Sequence, residues 1–127
     1  MEFKPKKYPG AFPGTIKAPL DVSSLTKSSD LVCVGEVEDV QTEGEVKFLI
    51  GNEVVMFTRK VARFRVDRVE KGTPPGRNIE IEFLHTDFPS SLERLQSGES
   101  LKLFLKKNHR WRFAHPTTSK CEPDFTS

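Results

Sequence analysis

Two cysteines stand among 127 residues. Cys33 and Cys121 lie far apart and show no metal-ligand spacing, so they make neither a disulfide framework nor a zinc motif. No apolar run approaches the ~18 residues of a membrane span. The basic, proline-containing start, Met1–Gly10, has no apolar stretch of the signal-peptide kind. An exported chain whose signal had been removed would read the same way, so the compartment stays open. No glycine-rich phosphate loop and no Gly-x-Ser-x-Gly turn is present. Neither sign of charge dominates: Lys and Arg number 20, Asp and Glu 18, for a net charge of +2. So small an excess does not by itself imply a nucleic-acid partner.

What the chain does have is phenylalanine: 10 copies, against one Tyr and one Trp. Phe favours strands and fills a core without needing a hydrogen-bond partner. The length fits one domain, which would bury roughly two-thirds of the surface its unfolded chain exposes. Residues 1–19 carry Pro5, Pro9, Pro13 and Pro19 with Gly10 and Gly14, an extended lead-in without helix or regular strand. Asp21–Ser29 suits a short helix, with Asp21 as N-cap and Leu20, Val22 and Leu25 as its apolar side.

The body reads as strands. Leu31–Val40 begins fully apolar and then alternates, and Gly35 within it marks a bulge or sharp bend. The polar Gln41–Glu45 marks a loop. Val46–Ile50 and Glu53–Phe57 flank Gly51-Asn52, a hairpin signal in which both turn residues are expected at positive φ. The second strand continues to Val69 and must bend, as barrel strands do. Lys71–Gly76 is a turn. Ile79, Ile81 and Phe83 alternate with Glu80 and Glu82. Ser90-Ser91-Leu92-Glu93 has capping-box spacing with Gly98 as a stop, which predicts a second short helix near 91–96. Leu101–Lys106 and Arg110–Ala114 make a last hairpin about Lys107-Asn108-His109. The polar tail, 116–127, is expected to be loosely held, with Cys121 in it. The domain is therefore 20–115. The pattern predicts an all-β fold: a small closed or partly open OB-like barrel of five to six strands with one or two short helices.

Chemistry-bearing constellations are few. His85, His109 and His115 do not make the three or four tightly spaced ligands that zinc requires. Cys33, in an apolar strand, reads as a small buried hydrophobe. Glu80 and Glu82 share a strand face, where pairing with Arg63 and Arg65 on the neighbouring strand is expected rather than acid–base catalysis. One constellation is basic and aromatic. Arg59, Arg63 and Arg65 share a strand face, and Lys102, Lys106, Lys107, Arg110, Trp111 and Arg112 crowd the last hairpin. These are the candidate ligand-binding residues, and on an OB-like barrel they would suit a single strand of nucleic acid, with Trp111 to stack. Trp111 reads equally as core, and the nearby glutamates dilute the positive field.

Three segments carry a family resemblance. Ser29–Val37 resembles the first strand of a group of bacterial OB-like barrels of mostly unknown function. Phe64–Gly72 resembles their long strand, which ends in a Lys-Gly turn, and Gly98–Leu105 resembles their penultimate strand. The group is similar in fold to the netrin-like inhibitory domain of tissue inhibitors of metalloproteinases. Those inhibitors chelate zinc through an N-terminal cysteine; here Met1 begins the chain. The resemblance implies a fold more than a function. The expectation is a non-enzymatic binding or interaction module without metal or cofactor, its partner a protein or small ligand. Single-stranded nucleic-acid binding and protease inhibition are the alternatives.

Overall fold

A computed structural model describes residues 6–7, 22–87, 92–107, 110–114, 119–121 and 123. In chain order the elements are β1 (Lys6–Lys7), α1 (Val22–Ser28), β2 (Leu31–Ile50), β3 (Glu53–Lys71), β4 (Asn78–His85), β5 (Ser100–Lys107), β6 (Trp111–Phe113) and β7 (Lys120–Cys121). The fold is mostly β. Hydrogen bonding runs β2–β3–β4–β6–β5 and returns to β2, which closes a ring. Closure between β4 and β6 is thin, with Ile81 opposite Trp111 as its one register pair. The result is a small, partly open barrel. β7 lies on the same edge of β5 as β6, further along the strand.

The apolar positions explain the ring. Leu31, Cys33 and Val37 of β2 meet Ala62, Phe64 and Val66 of β3, Ile79, Ile81 and Phe83 of β4, and Leu103 and Leu105 of β5 in one core. Burying each large side chain contributes roughly 1.5–3 kcal/mol. A second cluster on the other side of the sheet joins Leu25 of α1 to Val32 and Phe104. The start of β2 and the middle of β5 are thus covered on both faces, which is why Leu31–Val34 is a continuous apolar run.

Bulges make the long strands curve. The β2–β3 register shifts at Val32/Cys33, Val34/Gly35, Val37/Asp39 and Thr42/Gly44. At Gly35 a Cβ would stand 1.8 Å from the Arg65 carbonyl oxygen, so only glycine permits the approach. Beyond these bulges β2 and β3 run on past the ring as a two-stranded arm, closed by Gly51-Asn52 between the paired Ile50 and Glu53.

Five expectations are corrected. The polar Gln41–Glu45, expected as a loop, is strand and pairs with β3. Of Gly51 and Asn52, Gly51 alone has positive φ, at 61°. A hairpin turn with glycine first needs positive φ at that position alone, which spares asparagine the strain. Residues 92–96 form no helix. Leu95 is buried instead, and Glu93 turns from capping to the last strand: its Oε2 accepts from the amides of Ser119 and Lys120 at 3.2 and 3.1 Å. That contact helps hold Cys121 in β7, half-buried against the α1 cluster rather than in a loose tail. Within the proline-rich lead-in, Lys6–Lys7 pair in parallel with Phe48–Leu49. The expected N-cap Asp21 and the capping serines Ser90 and Ser91 lie outside the described residues.

α1 is shorter than expected at seven residues, and its C-terminal end is well supplied. Lys71 Nζ donates to the Thr26 carbonyl at 2.8 Å, a cation at the negative end of the helix. The Ser29 hydroxyl donates to the Leu25 carbonyl at 2.6 Å.

Candidate functional site

The basic residues do not gather into one groove. Lys102 is buried, and its Nζ donates to Glu70 Oε1 at 2.9 Å. Trp111 is buried in the ring core, with Lys107 Nζ 5.4 Å from its ring centroid. Neither is an open contact for a ligand: β5 is covered on both faces, and the indole fills the closure between β4 and β5. Arg65 pairs with Glu36 at 3.0 Å and Asp67 at 3.1 Å. Arg110 grips Glu43 with both terminal nitrogens and lies 3.7 Å from Glu80. Arg112 reaches Glu82 at 3.7 Å. The glutamates of β4 therefore pair with β6 and not, as expected, with Arg63 and Arg65. Arg63 stands opposite Glu80 in the backbone register, but the two form no ion pair. Among the described residues Arg59, Arg63 and Lys106 form no ion pair. His109 and His115 lie outside the described residues, and no group of three or more His, Cys, Asp or Glu is placed to hold a metal ion among the rest. No helix among the described residues is long and apolar enough to cross a membrane.

Electrostatics follow these pairs. The Arg110 guanidinium beside Glu43 holds its carboxyl below the usual carboxylate range, with a smaller pull in the same direction from Arg59. Lys102 does the same to Glu70, helped by Arg68. Burial pushes the Cys33 thiol up to about 12, so it is neither a nucleophile nor a ligand at neutral pH.

A concave site forms where the arm leaves the ring. A cleft of about 330 Å³ is lined by Val46 and Phe48 of β2, Arg59 of β3, Glu82, Phe83 and Leu84 of β4, Leu92 and Glu93, and Arg112 and Phe113 of β6. The bulge at Thr42/Gly44 separates this stretch from the ring and puts Val46 and Phe48 on one arm face. Phe48 stands edge-to-face on Phe57, centroids 5.3 Å apart. Phe83 and Phe113, also in the lining, pack at 5.9 Å. Two aromatic pairs thus fix the walls. Of the residues expected to bind a ligand, only Arg59 and Arg112 line the cleft. Phe48, Leu84, Leu92 and Phe113 were missed. Only Phe48 had a sequence signal, the apolar run Val46–Ile50. No protein-family model, no curated protein and no solved structure matches this chain.

Proposed function

We propose that this chain is a non-enzymatic binding module whose ligand seat is the cleft between the arm and the ring. The observation that carries the reading is the cleft itself: a concavity of ligand size, mostly apolar, with a few charged groups at fixed places. Its acids are committed. Glu82 faces Arg110 and Arg112, and Glu93 accepts from two backbone amides. The nucleic-acid reading draws less support, because Trp111 is core and Arg65, Lys102, Arg110 and Arg112 already face carboxylates.

A fragment screen followed by 15N chemical-shift mapping tests this reading. Aromatic and aliphatic fragments are expected to move the amides of Phe48, Leu84, Phe113 and their neighbours. Hits scattered over the surface, or tighter binding of a single-stranded oligonucleotide than of any fragment, would overturn it.

A further inference from the structure

The charges around the cleft are unequal in what they leave unmet. Arg112 has Glu82 at 3.7 Å. Glu43, the acid beside Arg59 in the sequence of the arm's pairing, is gripped by both terminal nitrogens of Arg110. Arg59 sits across from Leu84 on one side and Gly44 on the other, at the junction of arm and ring. It lines the cleft, is exposed, and forms no ion pair among the described residues. The cleft thus combines apolar walls with one cation that no carboxylate contacts. An ion pair there gains little while empty and more once an apolar body displaces water from the mouth.

From this we infer that the cleft takes a small aromatic carboxylate, its ring against the lining phenylalanines Phe48 and Phe113 and its anionic group on the Arg59 guanidinium. The inference rests on the binding reading above and adds the ligand class. Size and shape support it. At about 330 Å³ the cleft is at the small end of ligand sites, suited to a fused-ring or single-ring body and not to a long acyl chain. Its walls are phenylalanines, against which a flat ring packs edge-on or offset. A guanidinium is suited to a carboxylate because its two parallel N–H groups match the two oxygens.

The test compares 1-naphthylacetate with its neutral isostere 1-naphthylacetamide, titrated into the 15N-labelled chain. The acid is expected to bind about five- to tenfold more tightly than the amide, with shifts at Phe48, Leu84 and Phe113. Its advantage should shrink at high salt, since one ion pair carries it. Arg59→Met removes the charge and keeps an aliphatic stem. It should abolish the preference and leave amide binding within about twofold. Arg63→Met, on the same strand face but outside the lining, removes the same charge and should change neither ligand. Equal binding of acid and amide by the unaltered chain, or a preference that survives Arg59→Met, would overturn the ligand class and leave the binding site standing. Failure of both ligands, with no cleft hit in the fragment screen, would overturn both readings.

Discussion

The ring and the arm share the strands β2 and β3, yet they bury their residues differently. In the ring half, Leu31–Val34 and Val37 are all buried. In the arm, Val55 and Phe57 are buried while their neighbours Val54 and Met56 are 54% and 49% exposed. Strand chemistry does not explain the contrast, because both stretches are rich in valine and other large apolar residues. What differs is the company. The ring half of β2 has β3 on one edge, β5 on the other and α1 across its outer face. The arm has β3 and the two residues of β1. A strand pair covered on one face alternates; one enclosed on both does not. The bulges at Val37/Asp39 and Thr42/Gly44 mark the change from one regime to the other, and the cleft lies at the step.

The contrast can be attacked in the arm itself. Phe57→Ala should lower unfolding stability by about 3–4 kcal/mol in urea titrations, because a fully buried ring that packs on Phe48 is lost. Met56→Ala, one residue away on the outward face, should stay within about 0.5 kcal/mol. Similar losses from both would mean that the arm has no inward face.

The two glycines of β2 sharpen the comparison along the strand. Gly35→Ala should cost about 2–3 kcal/mol, since the new methyl group meets the Arg65 carbonyl and the Phe64 ring. Gly44→Ala, where the nearest atom is a side-chain nitrogen at 3.7 Å, should change stability by no more than about 0.5 kcal/mol. A tolerated Gly35→Ala would refute the close approach that bends the ring.

Glu70 and Lys102 give an intermediate effect and a sign with pH. Glu70→Gln should cost about 1–2 kcal/mol, because it weakens a charge-assisted hydrogen bond to a buried ammonium while Glu70 itself is partly exposed. The Glu70 carboxyl is held below its ordinary range, so its contribution is present above that range. It is lost as pH falls through the folded value. Acid titrations of the two proteins should therefore converge; curves that stay parallel down to low pH would contradict the pairing.

The smallest effect is kinetic and concerns the cysteines. Cys121, half-buried in a two-residue strand, should react with a thiol reagent through local opening of β7. Cys33, fully buried with its thiol pushed up to about 12, should wait for unfolding. Equal rates would deny the difference between ring core and ring rim.

Much of the ring was legible because it rests on local signals. Period-2 alternation located β3 to β6 and the two ends of β2, Gly35 announced the bend, and Gly51 announced the turn; the polar Gln41–Glu45 reads as a loop but is strand, because β3 pairs along its whole length. The site was less legible, since it depends on partners distant in sequence. Glu93 supports β7 from 26 and 27 residues away. Arg110 meets Glu43 across a separation of 67 residues. A capping box and an acceptor for a distant strand look identical when read as Ser-Ser-Leu-Glu.

By itself, then, the sequence determined an all-β domain with a phenylalanine-rich core and bends at Gly35 and Gly51, because alternation and backbone sterics act over a few residues. Tertiary structure decided which cations meet acids, that Trp111 and Lys102 are buried, and that Phe48 and Phe113 line one cleft. Those outcomes depend on register and on bulges in β2. Each extra residue moves every later side chain to the other face, and no local pattern specifies which strand will lie opposite.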